Sequence, residues 1–320
     1  MARILVTSRS FGKYDNNALS HLRAFGHEVI LMGADFNQEK FESEVLDCDA
    51  VILGNNPFPE KILGKCKKLK AICKHGVGVD NIPLEKAREC GVHVFAALGV
   101  NSNAVADLTF GLILASSRNI IASNKQVHER QWKPIVGHDV CYKTLGLLGF
   151  GSIARCVARR AKGFEMEVLA FVRDPETRPM NDEFKSYVRY CDLDTVLTKS
   201  DIISVHLAAN SETIGLINES TISRMKNGAY FINTARGAIV DEKALAEALR
   251  SGHLAGAALD VTAVEPIESD NELLSLDNVI ITPHMGMSSE ETISAVGMVC
   301  ARCITSYLDM GQLEVSYCIV

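Results

Sequence analysis

Gly146-Leu147-Leu148-Gly149-Phe150-Gly151-Ser152-Ile153-Ala154, in the middle of the chain, decides how the fold is read. The stretch follows a short apolar run and precedes a helix-like segment, Ser152 to Lys162. Placed between a strand and a helix, Gly149-x-Gly151-x-x-Ala154 has the spacing of a dinucleotide-binding turn. The first glycine permits the tight turn, and the second lets a pyrophosphate approach the backbone. The small third residue lets the helix pack close to its strand. The N–H groups of Ser152 and Ile153 open the helix and offer its positive dipole end to phosphates. Alone, the pattern also fits a glycine-rich turn in any α/β protein, so the residues around it must decide.

Outward from this turn, strand-like and helix-like segments alternate in both directions. That alternation predicts an α/β fold of parallel sheets with helices on their faces. Upstream the strands read Arg3–Thr7, Glu28–Met32, Ala50–Leu53, Leu69–Lys74 and Val92–Ala96, with amphipathic stretches such as Asn16–Phe25 and Leu84–Cys90 between them. Gly26 and Gly91 are placed to end those helices. The nearly all-apolar Asn101–Arg118 predicts a buried helix. Downstream the strands read Leu145–Leu148, Val168–Val172, Ile202–His206, Tyr230–Asn233, Gly256–Asp260 and Val279–Thr282. A helix over Asp241–Arg250 has Asp241 as N-cap and Gly252 past its end. A final helix from about Ser289 to Met310 has Ser288 as cap, with Glu291 three residues on, and a short tail placed to return to the first part of the chain.

A chain of 320 residues is too long for one typical core and predicts two domains. The net charge of −6 gives no basic surplus for nucleic acid. No apolar run reaches the length of a membrane span, and Met1–Thr7 is too short in its apolar part for a signal peptide. Ten cysteines scattered through apolar segments imply reduced thiols and a cytoplasmic location. Cys300-Ala301-Arg302-Cys303 has no second pair to complete a zinc site, so buried packing is expected and no metal.

Three short segments behind the turn carry chemistry. They are Asn233-Thr234-Ala235-Arg236-Gly237, Asp260-Val261-Thr262-Ala263-Val264-Glu265-Pro266 and Thr282-Pro283-His284-Met285-Gly286. Each follows a predicted strand, and open α/β sheets bind ligands beyond the carboxyl ends of their strands. Arg236, Glu265 and His284 therefore converge on one crevice. Their chemistry fits hydride transfer to a 2-oxo acid. Arg236 clamps a carboxylate bidentately. His284 protonates the carbonyl oxygen, or removes the hydroxyl proton in reverse. Glu265 orients the imidazole and favours its charged form. Taken singly, an arginine after a strand reads as a surface ion pair, a Glu-Pro as a turn and a histidine as structural. Their order behind the turn is what speaks for catalysis.

With these motifs the chain resembles the D-isomer-specific 2-hydroxyacid dehydrogenases over nearly its whole length, and the phosphoglycerate dehydrogenase-like branch most. Lys74-His75-Gly76-Val77-Gly78-Val79-Asp80-Asn81-Ile82 resembles the family's substrate loop, where the N–H groups of Val77 and Gly78 would bind the substrate carboxylate beside Arg236. The branch is suggested by Val6-Thr7-Ser8-Arg9-Ser10-Phe11-Gly12 and by Ser102-Asn103-Ala104-Val105-Ala106. The resemblance implies two Rossmann-like domains. A discontinuous, flavodoxin-like substrate domain is formed by residues 1–100 and 286–320, and a dinucleotide domain by residues 101–285. It also implies closure of a cleft over the hydride path and a homodimer formed through the dinucleotide domain. NAD or NADP is the implied cofactor and a 2-oxo or 2-hydroxy acid the substrate, with 3-phosphoglycerate as first choice and hydroxypyruvate or glyoxylate as alternatives. A nicotinamide-sensing protein like the C-terminal binding corepressors is the reading of another class.

Some positions depart from the family pattern. Users of NAD place a carboxylate at the end of the second strand of the dinucleotide domain. Here that position is Val172, followed by Arg173 and Asp174. Arg173 would attract a 2′-phosphate, which favours NADP. Alternatively Asp174 serves the ribose, or Arg173 stacks on the adenine. His206 resembles a loop residue lining the cofactor, with Ala208 where proline is usual. Thr234 and Ala235 would pass near the nicotinamide. Asp260 would bond its carboxamide, or cap its own strand. Lys74, Arg9 and Lys13 are candidates to meet a second anionic group on the substrate. Trp132, the one tryptophan, is read as a substrate contact or an interface residue.

Overall fold

The computed structural model describes residues 1–33, 36–177 and 179–320. The chain divides into two compact units, Met1–Asn101 with Met287–Val320, and Ser102–Gly286.

The first unit opens with β1 (Arg3–Val6), α1 (Asn17–Ala24), β2 (Glu28–Leu31), α2 (Gln38–Glu44), β3 (Ala50–Leu53), α3 (Glu60–Leu63), β4 (Ala71–Lys74), α4 (Leu84–Glu89) and β5 (His93–Ala96). Its strands form one parallel sheet in the order β2-β1-β3-β4-β5, the flavodoxin-like order. The central strands β3 and β4 are buried along their whole length, as in a parallel sheet with helices on both faces.

The second unit contains α5 (Ser102–Ser117), α6 (Ile120–His128), β6 (Thr144–Leu148), α7 (Ser152–Gly163), β7 (Glu167–Phe171), β8 (Val188–Cys191), α8 (Leu193–Lys199), β9 (Ile202–Val205), α9 (Glu219–Ile222), β10 (Ala229–Asn233), α10 (Glu242–Arg250), β11 (Leu254–Leu259) and β12 (Val279–Ile281). Its parallel sheet runs β12-β11-β10-β9-β6-β7-β8. This is the dinucleotide-binding order extended by one strand, and it reverses direction between β6 and β9. Ala154, fully buried, lets α7 lie close to the sheet. Helix α5 packs beside α7, with Arg160 Nε donating to Asp107 at 2.7 Å and Phe110 stacked on Phe164.

The last helix, α11 (Glu290–Met310), returns to the first unit. His27 Nε2 meets Asp309 at 2.9 Å, and the tail lies antiparallel to β5, with Ile319 N–H donating to the Val94 carbonyl at 2.7 Å.

Several expectations need correction. The edge strand β8 carries no apolar run and was not anticipated. The cap of α11 is Ser289, whose side chain accepts from Thr292 N–H, and not Ser288. By length and composition α11 could cross a membrane, contrary to the reading of its sequence, but half of it is buried in the first unit. Cys300 and Cys303 are both fully buried in that helix.

Candidate active site

The turn after β6 is built as its sequence requires. Gly149 has φ +97°, and a Cβ there would lie 2.7 Å from the His206 carbonyl oxygen. Gly151 is exposed, with nothing within 4 Å of a Cβ position. Its conformation is extended and provides no side-chain cap for α7. The first bond of the helix runs from Arg155 N–H to the Gly151 carbonyl. Among the described residues, therefore, the N–H groups of Ser152 and Ile153 have no acceptor. An uncapped twelve-residue helix behind an open glycine fits a pyrophosphate.

On the same sheet, the loops after β10, β11 and β12 hold Arg236, Glu265 and His284. Gly237 brings the first two loops together, because a Cβ there would sit 2.0 Å from the Thr262 carbonyl carbon. Asn233 braces the first loop from beneath. Its Nδ2 donates to the Arg236 carbonyl at 2.9 Å, and its Oδ1 accepts from Ala235 N–H at 3.0 Å. Arg236 Nη1 donates to the Ala235 carbonyl at 2.7 Å. Glu242 holds the second loop by accepting from Ala263 N–H at 2.6 Å.

His284 Nδ1 lies 2.7 Å from Glu265 Oε2, with side chains 37% and 39% exposed. Burial raises the Glu265 carboxyl, but His284, the Thr262 N–H and Arg236 together outweigh it and hold the group below its ordinary value. An ionised carboxylate only accepts, so Nδ1 carries the proton and Nε2 is left for chemistry.

Asp260 fixes the turn that presents His284. It is 1% exposed and accepts from Thr282 Oγ1 at 2.6 Å, Met285 N–H at 2.8 Å and Gly286 N–H at 2.8 Å. His284 itself has φ +50°, a left-handed conformation that non-glycine residues adopt only when held there. These three bonds give Asp260 the strand-end role read for it from sequence and leave an acceptor position on its carboxylate. Asn233 and Glu242 had no role assigned from sequence, since an amide or carboxylate beside a strand end reads as an ordinary cap.

The remaining residues named for the cofactor lie in the same unit. Val172 packs against the core beside α7. Arg173 is exposed and ion-paired with Glu212, while the Asp174 side chain has no ion pair among the described residues. His206 Nε2 meets Ser204 Oγ at 2.9 Å, and burial lowers its pKa to about 3, so the ring is neutral. Thr234 is buried, its hydroxyl 3.0 Å from that of Thr109, and Ala235 is partly exposed.

In the first unit, Lys74 ends β4 almost completely buried. Its ammonium donates to the Gly54 carbonyl at 2.6 Å, Asn81 Oδ1 at 3.1 Å and Asn55 Oδ1 at 3.2 Å. Next in sequence, His75 Nδ1 lies 3.0 Å from Ser8 Oγ. Among the described residues the N–H groups of Val77 and Gly78 donate to no acceptor. Arg9 and Lys13 are exposed, as is Trp132 at 89%.

The family model for the NAD-binding domain of D-isomer-specific 2-hydroxyacid dehydrogenases matches residues 110–286. The chain belongs to this family. A glyoxylate reductase of Korarchaeum cryptofilum is 37% identical over 270 residues, covering 82% of this chain and 80% of the relative. A D-3-phosphoglycerate dehydrogenase of Archaeoglobus fulgidus is 38% identical over 292 residues, covering 90% of this chain but 55% of the relative. The crystal structure of the TT0316 protein from Thermus thermophilus superposes with a TM-score of 0.90 at 35% identity, covering 99% of this chain and all of that one. As a member, the chain is an oxidoreductase acting on the CH–OH group of 2-hydroxy acids with NAD or NADP.

Proposed function

We propose that the protein reduces a small, unphosphorylated 2-oxo acid of the glyoxylate or hydroxypyruvate kind to its D-2-hydroxy acid. The observation that carries this reading is the 2.7 Å Glu265–His284 pair on a braced, left-handed turn next to the loop of Arg236. When bound, the nicotinamide supplies the hydride. Arg236 binds the substrate carboxylate and polarises the neighbouring carbonyl. His284 donates the Nε2 proton to the carbonyl oxygen, and Glu265 stabilises the imidazolium beforehand. In the first unit, the N–H groups of Val77 and Gly78 are the substrate-binding groups. Lys74 donates to the Gly54 carbonyl, Asn55 and Asn81 and organises that loop.

A cofactor would be held by Gly149, Gly151, Ser152 and Ile153 at its pyrophosphate. His206, Thr234 and Ala235 would line it, and Val172, Arg173 and Asp174 would meet its adenosine end. Val172 in place of a carboxylate, followed by Arg173, favours NADP. Phosphoglycerate dehydrogenase is the second reading, supported by the Archaeoglobus relative; it relies on the exposed cations Arg9 and Lys13. Exposed Ile120, Ile121, Val127, Trp132 and Val136 on and after α6 support a homodimer formed through the second unit.

The test is the initial rate of reduction of glyoxylate, hydroxypyruvate and 3-phosphohydroxypyruvate with NADH and with NADPH, using Arg236→Ala as the blank. Preference for the unphosphorylated acids supports the proposal. Preference for the phosphorylated one overturns it in favour of the second reading. Cofactor binding without turnover of any of the three points to a sensor.

A further inference from the structure

Arg173 and Glu212 come from loops that follow different strands. Arg173 lies two residues beyond β7, and Glu212 lies in the loop after β9. In the sheet β6 separates those strands, and β6 carries the Gly149–Gly151 turn. The ion pair between them therefore spans the carboxyl end of β6, where the strand order reverses and a dinucleotide binds. Both side chains are more than half exposed, at 59% and 62%, so water screens the pair and it opens at small cost.

We propose that Glu212 is a specificity-determining residue for the cofactor, acting against the 2′-phosphate by occupying Arg173. The inference rests on the reading that Arg173 faces the adenosine ribose. A 2′-phosphate needs the guanidinium, and it can displace Glu212 because it offers more charge and more acceptor oxygens. The displaced carboxylate stays in the same crevice and repels the phosphate. A 2′-hydroxyl makes no such demand, so the pair can stay closed over a dinucleotide that lacks the phosphate. Glu212 thus narrows a preference that Arg173 alone would push towards NADP, which is discrimination by a repulsive element.

The experiment is direct binding without substrate. NADH and NADPH are titrated by nicotinamide fluorescence, and 5′-AMP and adenosine 2′,5′-bisphosphate by calorimetry. The proteins are the wild type, Glu212→Gln, Arg173→Met and the double variant. Glu212→Gln is expected to tighten NADPH and the bisphosphate by about three- to tenfold while leaving NADH and AMP within about twofold, the scale of one exposed ion pair. The gain should vanish in the Arg173→Met background and shrink at high salt. Equal changes for both cofactors, no change, or a gain that survives loss of Arg173 overturns the proposal. If Arg173→Met weakens NADPH while Glu212→Gln is silent, the NADP reading stands and this inference fails. If the wild type prefers NADH and Glu212→Gln gains NADPH through Arg173, the inference stands and the NADP preference fails.

Discussion

At the carboxyl end of the first unit's sheet, polar side chains bond to one another, while the buried Asn56 Nδ2 and His75 Nε2 have no partner among the described residues. Thr7 Oγ1 accepts from Gly54 N–H and donates to Asn56 Oδ1, Asn81 ties the Gly54 and Asn56 carbonyls, and Lys74 is ringed by three acceptors. At the carboxyl end of the second unit's sheet, Arg236, Glu265 and His284 reach solvent, and the buried polar residues Asn233 and Asp260 hold the backbone beneath them. One architecture thus supports two designs. A network of side chains bonded mostly to one another leaves backbone N–H groups to recognise a ligand. A loop braced from below frees its side chains to exchange protons.

The largest effect should come from the proton-exchanging end. His284→Ala is expected to lower kcat for reduction by about 10²–10⁴-fold, the usual weight of a general acid, with the Kd of NADPH nearly unchanged. Turnover close to wild type would break the comparison, because the second unit would then be a passive binding surface like the first. Asp260→Ala comes next. It strands the Met285 and Gly286 N–H groups and the Thr282 hydroxyl in a buried place, at a cost of about 3 kcal/mol of stability. Denaturant unfolding checks the loss. A change under about 1 kcal/mol would mean that the turn holds itself and Asp260 is not its brace.

Much of this was legible in the sequence because it rests on local signals. The glycine turn after an apolar strand, the N-cap Asp241 accepting from Lys243 and Ala244 N–H, and Gly252 at φ +76° all act over a few residues. The apolar run Asn101–Arg118 likewise forms α5, Ser102–Ser117. The strand β8 was not legible. Val188-Arg189-Tyr190-Cys191 is short and polar, and becomes a strand only because Ala170 and Phe171 of β7 pair with it. The braces were hidden for a related reason. Asp260 reaches Gly286 across 26 residues, and only the register of β11 with β12 brings them together. At Lys74 the gap is of the same kind: nothing local shows that Asn55 and Asn81 lie beside its ammonium.

The first unit has its own weakness, which sharpens the comparison. His75 is 4% exposed, and burial, reinforced by the Lys74 charge, lowers its pKa to about 4. An unfolded chain binds a proton at this histidine from about pH 6.5 downward, while the folded unit resists until about pH 4. The unfolded state thus holds more protons in that window, and stability falls as pH drops through it, by up to about 3 kcal/mol. Thermal unfolding of His75→Asn between pH 4 and 6.5 should show a flatter profile than the wild type. Parallel profiles would place the acid sensitivity elsewhere, with the neutral His206 of the second unit as the next candidate.

The smallest effect is also the most discriminating. Because Glu265 is held below its ordinary value, its charge persists at pH values where a free glutamate is half protonated, and disappears only as pH falls through the lowered value. That charge faces the His284 ring across the 2.7 Å bond and favours proton donation from it. Glu265→Gln can still accept the Nδ1 hydrogen, which preserves the ring's orientation and removes only the charge. The fall in kcat/KM for reduction at low pH that follows protonation of Glu265 should then disappear. If the acid limb stays where it is and the rate falls uniformly, Glu265 merely orients the ring. In that case the second unit works by geometry alone, as the first does, and the difference between the two sheet ends would lie in His284 by itself.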